Sequence, residues 1–266
     1  MPVVSTGRFD LNYIEAGSGF PVVLIHGLAG DHTAWLPQVA AFKDKWRVIA
    51  FDNPGSGGSS KVSEPASTAD LAAATLGLMD KLGIEQAHIV GRSMGGAIAQ
   101  HMALAQPARV RSLAFAASFA KFDPVGARAI ENMQTLLRWR KNWAEWARFA
   151  VPYFVSPGFF NGNPEAIARI ERLVGDESRD MTSYDNLATA CLRHDTLGRL
   201  GEIAAPVLVM GGRYDSICSM TSQEWMMQRL PKATLTVFEQ SSHFFLMEEA
   251  DKALATLTDW LGRQTP

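Results

Sequence analysis

Short apolar runs and stretches of helical spacing alternate along most of this chain. The runs are bounded by Gly, Pro or Asp, which is typical of buried strands. A strand, helix, strand order repeated in this way predicts an α/β fold with a mostly parallel, doubly wound sheet covered by helices on both faces. The predicted strands are 21–27, 46–52, 87–93, 111–117, 206–212 and 233–239, and the predicted helices are 67–82, 94–106, 219–230 and 246–262.

The alternation fails once, over 119–197, where no strand is predicted. Large apolar side chains recur there at helical spacing, as at Trp143 and Trp146. This segment is interpreted as a helical insertion in an otherwise regular sheet protein. The remainder of the chain, 1–118 and 198–266, would then form the core domain.

The composition and charge favour one domain that acts on a small molecule. With 266 residues and 47% hydrophobic content, the chain can bury a substantial single core. Its 25 Lys and Arg and 27 Asp and Glu are scattered without runs and give a net charge of -2. This balance predicts no nucleic-acid partner and no membrane-surface partner. The expected partner is a small, uncharged molecule.

The cysteines and the N-terminal segment bear on the compartment. Cys191 and Cys218 lack metal-ligand spacing and are too few for a disulfide framework, so we expect no metal site and a reducing environment. Residues 1–19 show no positive segment followed by an apolar stretch, and no apolar run in the chain is long enough to cross a bilayer. We therefore predict a cytoplasmic protein.

The stretch Gly91-Arg92-Ser93-Met94-Gly95 lies where a predicted strand stops and a predicted helix starts. A serine on such a sharp turn takes a strained backbone conformation, and glycines two residues away on either side permit the close approach of neighbouring chains. The turn places the hydroxyl at the carboxyl edge of the sheet, beside the first N–H groups of the helix. This pattern predicts a G-x-S-x-G nucleophile elbow. Accidental spacing of Gly and Ser is the alternative.

A serine nucleophile needs a base and an acid that orients the base. In proteins with such an elbow these groups follow in the order serine, acid, histidine. Asp215 comes just past the predicted strand 206–212, and His243 comes just past 233–239. In this arrangement His243 takes the serine proton, and Asp215 fixes the imidazole tautomer. Taken singly, the aspartate fits a turn or helix cap and the histidine a structural role.

The glycine-rich loop 26–30, with the sequence HGLAG, follows the first predicted strand. Its backbone could present the N–H of Leu28 opposite the N–H of Met94, which would form an oxyanion hole. A simple glycine turn is the alternative. His26 precedes the serine in the chain, and we interpret it as a structural hydrogen-bonding residue of the loop.

Three longer stretches support the identification of the elbow. They resemble stretches of one family and occur in the same order along the chain. They are HGLAGDHTAWLPQVAAF, VIAFDNPGSGGSS and HDTLGRLGEIAAPVLVMGGRYD. Together with the elbow they identify the chain as similar to α/β-hydrolase fold enzymes over about 1–118 and 198–266. The nearest groups are small bacterial esterases, enol-lactonase-like hydrolases of aromatic catabolism, and meta-cleavage product hydrolases that split carbon–carbon bonds.

The resemblance implies Ser93, Asp215 and His243 as the catalytic triad and the N–H groups of Leu28 and Met94 as oxyanion donors. It also implies that 119–197 forms a cap over the site. The reaction expected of such a site is cleavage of a carboxylic ester or lactone through an acyl-enzyme, with no metal or organic cofactor. The substrate would be small and largely apolar or aromatic-derived.

Some positions depart from the resemblance. Meta-cleavage hydrolases usually have Asn where this chain has Arg92, and Trp where it has Phe244, which weakens the carbon–carbon alternative. Haloalkane dehalogenases of this fold have an aspartate in place of Ser93. Arg92 could anchor a substrate carboxylate, but a structural ion pair is favoured. Asp123 is a second candidate for the acid.

The insertion and Phe244 supply the predicted substrate pocket. A slow-turnover ligand receptor on the same fold is the alternative to an enzyme. The sequence is also compatible with a homodimer. The predicted pocket residues are Met133, Leu136, Leu137, Trp143 and Phe244.

Overall fold

Eight strands form a single sheet in the order β1-β2-β4-β3-β5-β6-β7-β8 in a computed structural model that describes residues 1–264. All neighbouring strands are parallel except the β1–β2 and β2–β4 pairs, which are antiparallel. The strands are β1 (Val3–Ser5), β2 (Asp10–Ala16), β3 (Pro21–Ile25), β4 (Arg47–Phe51), β5 (Ala87–Arg92), β6 (Val110–Ala116), β7 (Val207–Gly212) and β8 (Ala233–Phe238).

Helices cover both faces of this sheet, and the predicted α/β fold class is confirmed. All six predicted strands are present, but the sequence analysis did not predict β1 or β2. The predicted helix 246–262 is divided at Glu249 into two helices. The helices are α1 (Leu36–Phe42), α2 (Thr68–Lys81), α3 (Met94–Ala105), α4 (Pro124–Arg140), α5 (Trp143–Phe154), α6 (Pro157–Gly162), α7 (Pro164–Val174), α8 (Met181–Arg193), α9 (Met220–Met227), α10 (Phe245–Glu248) and α11 (Ala250–Gln264).

The apolar core is divided by the sheet into two layers. Successive side chains of a strand point to opposite faces, so a strand buried on both sides is apolar along its whole length. In β3, Val23 and Ile25 join the cluster packed under α2 and α3, whereas Val22 and Leu24 join the cluster under α1 and α11. This two-sided burial explains the continuous apolar runs of the sequence.

The strand order reverses at β3, which pairs in parallel with both β4 and β5. Loops leave the carboxyl edge of the sheet in opposite directions at such a point, and the crevice between them is where open α/β sheets bind ligands. The loops after β3, β5, β7 and β8 all leave this edge.

Between β6 and β7 the described chain contains no strand, and the helices α4 to α8 fill the predicted insertion. Within it α4 packs against α5 and α8, and α5 packs against α7. The insertion is tied to the rest of the protein by backbone groups. Val62 N–H donates to Ser183 Oγ at 2.8 Å, and Phe244 N–H donates to the Phe154 carbonyl at 2.8 Å.

Among residues 1–264, no helix is both long enough and apolar enough to span a membrane.

Candidate active site

Ser93 lies alone on the turn between β5 and α3. Its backbone has φ 51° and ψ -118°, and a positive φ is strained for a residue that carries a side chain. Two hydrogen bonds hold this conformation: Ser93 N–H donates to the Ala116 carbonyl at 2.9 Å, and Ser118 Oγ donates to the Ser93 carbonyl at 2.8 Å. The strained conformation is therefore stabilised by the end of β6 and by the turn that follows it.

The glycines of the elbow are required by close backbone packing. A Cβ at Gly91 would collide with the Gly95 carbonyl, and a Cβ at Gly95 would collide with the Ile25 carbonyl at the end of β3. Glycine is the only residue that avoids both collisions. The G-x-S-x-G spacing thus follows from the contact of β5, α3 and β3 at one point.

His243 and Asp215 form a buried hydrogen-bonded pair. His243 Nδ1 lies 2.8 Å from Asp215 Oδ2, and both side chains are almost fully enclosed. The other carboxylate oxygen, Oδ1, accepts the N–H groups of Ile217 at 2.8 Å and Cys218 at 2.9 Å. Because Nδ1–H donates to the carboxylate, Nε2 is left as the basic nitrogen.

Ser93 lies in the same cluster as this pair. The side chain of Ser93 lies close enough to Cys218 to oppose the upward shift in the pKa of the Cys218 thiol. The sulfur also lies within 4.8 Å of a ring nitrogen of His243 and of a carboxylate oxygen of Asp215. Ser93 and His243 line one cavity. The structure therefore brings together the three residues that the sequence analysis selected from three separate loops.

Cys218 is a member of this cluster that the sequence analysis did not predict. Burial, reinforced by the charge of Asp215, raises the pKa of the Cys218 thiol well above its usual value. The thiol therefore stays protonated and is a poor nucleophile. Its position three residues after Asp215, on a turn closed by that carboxylate, is the signal that could have found it.

The loop after β3 passes close to Ser93. A Cβ at Gly27 would lie 2.9 Å from Ser93 Cβ, and Gly30 N–H closes the turn by donating to the Gly27 carbonyl at 3.2 Å. The N–H of Leu28 makes no hydrogen bond with any described residue. The N–H of Met94 opens α3 and has no intrahelical partner. Both N–H groups, one next to Gly27 and one next to Ser93, are thus free of acceptors among the described residues.

His26 is neutral and structural in this arrangement. Burial, followed by the positive charge of Arg92, lowers the pKa of His26 to about 3. Its carbonyl accepts the Asn53 side-chain amide at 2.7 Å, and its ring lies over Gly30, where a Cβ would collide with it. A histidine of this kind anchors the loop and does not titrate near neutral pH.

Arg92 makes no ion pair with a carboxylate of residues 1–264. The expectation of a structural ion pair is therefore wrong. Its guanidinium lies over the Phe244 ring, with Cζ 4.3 Å from the centroid, and Nη1 lies 3.4 Å from His26 Nε2. Arg92 and Phe244 both line the cavity.

Asp123 does not pair with His243. One of its carboxylate oxygens accepts the N–H groups of Val125 at 2.9 Å and Gly126 at 2.8 Å, which caps the start of α4. The other accepts the hydroxyl of Ser219, the residue that caps α9. Asp123 therefore joins two helix starts and is not the acid of the site.

A cavity of about 810 Å³ lies above Ser93 and His243, between the sheet edge and the insertion. This volume suits a small organic molecule. Of the predicted pocket residues, Met133 and Phe244 line it. The sequence analysis missed several apolar or aromatic lining residues, which are Ile130, Trp146, Phe154, Tyr184 and Ile217.

Three predicted pocket residues do not line the cavity within the part of the chain that the structure describes, namely Leu136, Leu137 and Trp143. Trp143 is fully buried inside the insertion, edge-on to Trp146 at 5.3 Å and to Tyr184 at 5.4 Å, and its Nε1 donates to the Arg179 carbonyl. Leu137 is likewise buried in the core. Helical spacing identified Leu137 and Trp143 as buried positions, but they pack against other helices, and Leu136 is only half-buried and lies outside the core clusters.

Within residues 1–264, two clusters have residue types that bind metals. In one, Asp215, Cys218 and His243 are already hydrogen-bonded to each other or to the adjacent backbone. The other cluster consists of Asp31, His32 and Asp52. The Asp52 carboxylate accepts hydrogen bonds from His32 Nδ1 at 2.7 Å and from the Asn12 side-chain amide at 2.7 Å. The buried carboxylates of Asp215 and Asp52 therefore serve as hydrogen-bond acceptors, which is sufficient to account for their burial.

The chain is similar to known proteins in its sequence. The alpha/beta hydrolase fold family matches residues 21–188. The chain is 30% identical to a 2-hydroxy-6-oxononadienedioate/2-hydroxy-6-oxononatrienedioate hydrolase of Dechloromonas aromatica, over 97% of this chain and 93% of that protein.

Two solved structures are also similar. One is an enol-lactonase from Burkholderia xenovorans, with a TM-score of 0.89 and 25% identity, covering 98% of this chain and 100% of that one. The other is a thermophilic esterase from Thermogutta terrifontis, with a TM-score of 0.86 and 25% identity, covering 97% of this chain and 95% of that one.

Proposed function

Because this chain belongs to the α/β-hydrolase fold family, we propose that it is a serine hydrolase that cleaves a carboxylic ester or lactone through an acyl-enzyme. The observation that carries the proposal is the His243–Asp215 pair, joined at 2.8 Å, in one cavity with a serine on a strained turn. A serine hydroxyl becomes a useful nucleophile at neutral pH only beside such a base.

In the first half of the reaction, Ser93 Oγ attacks the substrate carbonyl as its proton passes to His243 Nε2. Asp215 holds the ring in position and stabilises the imidazolium that forms. The N–H groups of Leu28 and Met94 stabilise the negative oxygen of the tetrahedral intermediate, and one such donor contributes about 100- to 1000-fold in rate. The imidazolium then protonates the leaving alkoxide, and an acyl-Ser93 ester remains.

In the second half, His243 takes a proton from water, and the resulting hydroxide attacks the acyl-Ser93 carbonyl. Collapse of the second intermediate returns the proton to Ser93 and releases the acid. For a lactone, the leaving alkoxide stays attached to the acyl group, so one hydroxy acid is released. No step requires a metal or an organic cofactor.

The insertion acts as a cap that selects the substrate. Trp146, Phe154 and Tyr184 line the cavity opposite Ser93 and offer an apolar, largely aromatic wall. Such a wall favours an acyl group with a sizeable apolar part. The similar enol-lactonase and esterase support ester or lactone chemistry for this chain.

Carbon–carbon bond hydrolysis is the second candidate. The relative from Dechloromonas aromatica is named for a hydroxy-oxo-dienedioate and not for an ester or lactone. Arg92 and Phe244 depart from the residues usual in meta-cleavage hydrolases, and for this reason ester or lactone cleavage ranks first.

A substrate panel tests the proposal. The wild type, Ser93→Ala and the exposed-serine control Ser63→Ala would be assayed on simple p-nitrophenyl esters, enol-lactones and vinylogous diketones. We expect a burst of p-nitrophenol in the wild type and in Ser63→Ala, and no burst in Ser93→Ala. Turnover of the diketones alone would favour the second candidate, and turnover that survives Ser93→Ala would refute both.

A further inference from the structure

Arg92 places a cation beside the nucleophile. It is the residue directly before Ser93, and its side chain lines the same cavity as Ser93 and His243. The Phe244 ring supports the guanidinium from one side at 4.3 Å. The group is thereby held in one place at the wall of the cavity that also contains Ser93.

This cation has no balancing ion-pair partner within residues 1–264. Burial lowers the pKa of Arg92 to about 10, and the more distant charge of Asp215 opposes that shift. The guanidinium therefore stays charged at neutral pH. The neighbouring imidazole of His26 accepts from Nη1 at 3.4 Å and is itself uncharged, since its pKa is about 3. The remaining N–H donors of Arg92 have no described acceptor.

A second arginine of the cavity shows the contrast. Arg179 donates to the backbone carbonyl of Ala29 and, at 3.0 Å, to that of Leu173, so it tethers the loop after β3 to the end of α7. The carboxylates of Asp31 and Asp176, which also line the cavity, accept backbone N–H groups of their own turns at 2.8 Å and 2.9 Å. Nε of Arg179 is also without a described acceptor, but that atom is buried, whereas the unpaired donors of Arg92 belong to a side chain that lines the cavity beside Ser93.

A partly enclosed charge without a partner is unfavourable, and a planar guanidinium is suited to bidentate pairing with a carboxylate. We propose that Arg92 binds a carboxylate of the substrate, so that the substrate is an ester or lactone whose acyl part carries a second, free carboxylate a few bonds from the scissile carbonyl. This inference rests on the proposed function, and it replaces the uncharged partner expected from the overall charge.

The kinetic test uses two esters that differ only in charge. One is the mono-p-nitrophenyl ester of glutaric acid, and the other is the neutral ester in which an isopropyl group replaces the free carboxylate. We expect Arg92→Met to lower kcat/KM for the anionic ester by about 10- to 100-fold, mainly through KM, because one charge-assisted interaction is lost. The same variant should change the neutral ester by less than about threefold, which also reports that the protein is folded.

Two further variants sharpen this test. Arg92→Lys keeps the charge without the planar fork, and we expect it to recover part of the loss on the anionic ester. Arg179→Met removes the other cavity arginine, and we expect it to affect both esters alike because Arg179 binds only backbone carbonyls. An equal loss on both esters in Arg92→Met would mean that Arg92 supports the fold or the oxyanion, and it would overturn the proposal.

A binding arm separates this proposal from the proposed function. Glutarate and its neutral diamide would be titrated calorimetrically into the wild type and Arg92→Met. We expect glutarate to bind the wild type and to bind Arg92→Met at least about tenfold more weakly, with no such difference for the diamide. If the enzyme hydrolyses neither ester, the proposed function fails, and the glutarate titration still decides the role of Arg92. Equal binding of glutarate to both proteins would refute that role.

Discussion

Glu248 connects the insertion to the loop that carries His243. One oxygen of its carboxylate accepts the N–H of Ser156, at the start of α6, at 2.8 Å. The other accepts the N–H of Ser242, directly before His243, at 2.9 Å. Both serines are about 1% exposed, so neither N–H has ready access to water if Glu248 is removed. We predict that Glu248→Ala weakens both the fold and catalysis.

The magnitude follows from these two contacts. Each hydrogen bond to a charged acceptor is worth about 1.5–3 kcal/mol, and the partly exposed position of Glu248 reduces this range. We therefore expect Glu248→Ala to lower the free energy of unfolding by about 2–4 kcal/mol. Glu248→Gln keeps a carbonyl oxygen for one N–H, and we expect about half that loss.

The effect on catalysis comes from the position of His243. A displacement of about 1 Å of a catalytic group can reduce a rate about 100-fold, so we expect kcat of Glu248→Ala to fall by about 10- to 100-fold. The Phe244 N–H bond to the Phe154 carbonyl, which Glu248→Ala leaves in place, limits the displacement.

The assay combines urea unfolding with steady-state kinetics on the best ester of the panel. Glu64→Ala, at an exposed position, is the matched control and should match the wild type in both measurements. A Glu248→Ala protein with reduced stability and unchanged kcat would refute the coupling to His243. Unchanged stability would refute the structural role of Glu248 as well.

Three further predictions concern acid stability, the elbow and the acid of the triad. Burial lowers the pKa values of His26, His88 and His194 to about 3, 4 and 3, whereas histidine in an unfolded chain titrates near about 6.5. Below about pH 6.5 the unfolded state therefore binds more protons than the folded state. Each of these histidines should lower the free energy of unfolding by about 2 kcal/mol by about pH 5. A urea midpoint that is unchanged between about pH 7.5 and 5 would contradict this. Gly95→Ala should reduce soluble yield or kcat at least about tenfold because its methyl group meets the carbonyl at the end of β3, and a fully active variant would show that the elbow can shift. Asp215→Asn should reduce kcat by about 10⁴-fold with little change in circular dichroism, and a loss under about tenfold would exclude Asp215 as the orienting acid.

The sequence was most informative where a residue's role follows from local geometry. The elbow could be predicted because only glycine fits at positions 91 and 95, where β5, α3 and β3 meet. Asp215 and His243 could be paired because loops after parallel strands leave a sheet at the same edge. Neither inference required knowledge of the insertion.

The sequence was less informative where a role depends on which neighbours pack against a residue. Helical spacing placed Trp143 and Met133 on inner faces, but Met133 lines the cavity and Trp143 packs against other insertion helices. The strand β2 was missed because the polar residues Asp10, Asn12 and Glu15 interrupt its apolar pattern, and it pairs antiparallel with both of its neighbours near one edge of the sheet. The environment of Arg92 was mistaken because only the folded chain shows that no carboxylate of residues 1–264 comes within ion-pairing distance of it.

The central claim is that Ser93 is a nucleophile activated by His243, and covalent labelling tests it most directly. A fluorophosphonate reacts with an activated serine by forming an oxygen–phosphorus bond and releasing fluoride. Peptide mass spectrometry of the treated wild type is predicted to place the adduct on Ser93, and His243→Ala to label at least about 1000-fold more slowly. An adduct on another residue, or labelling of Ser93 at an equal rate without His243, would contradict the account.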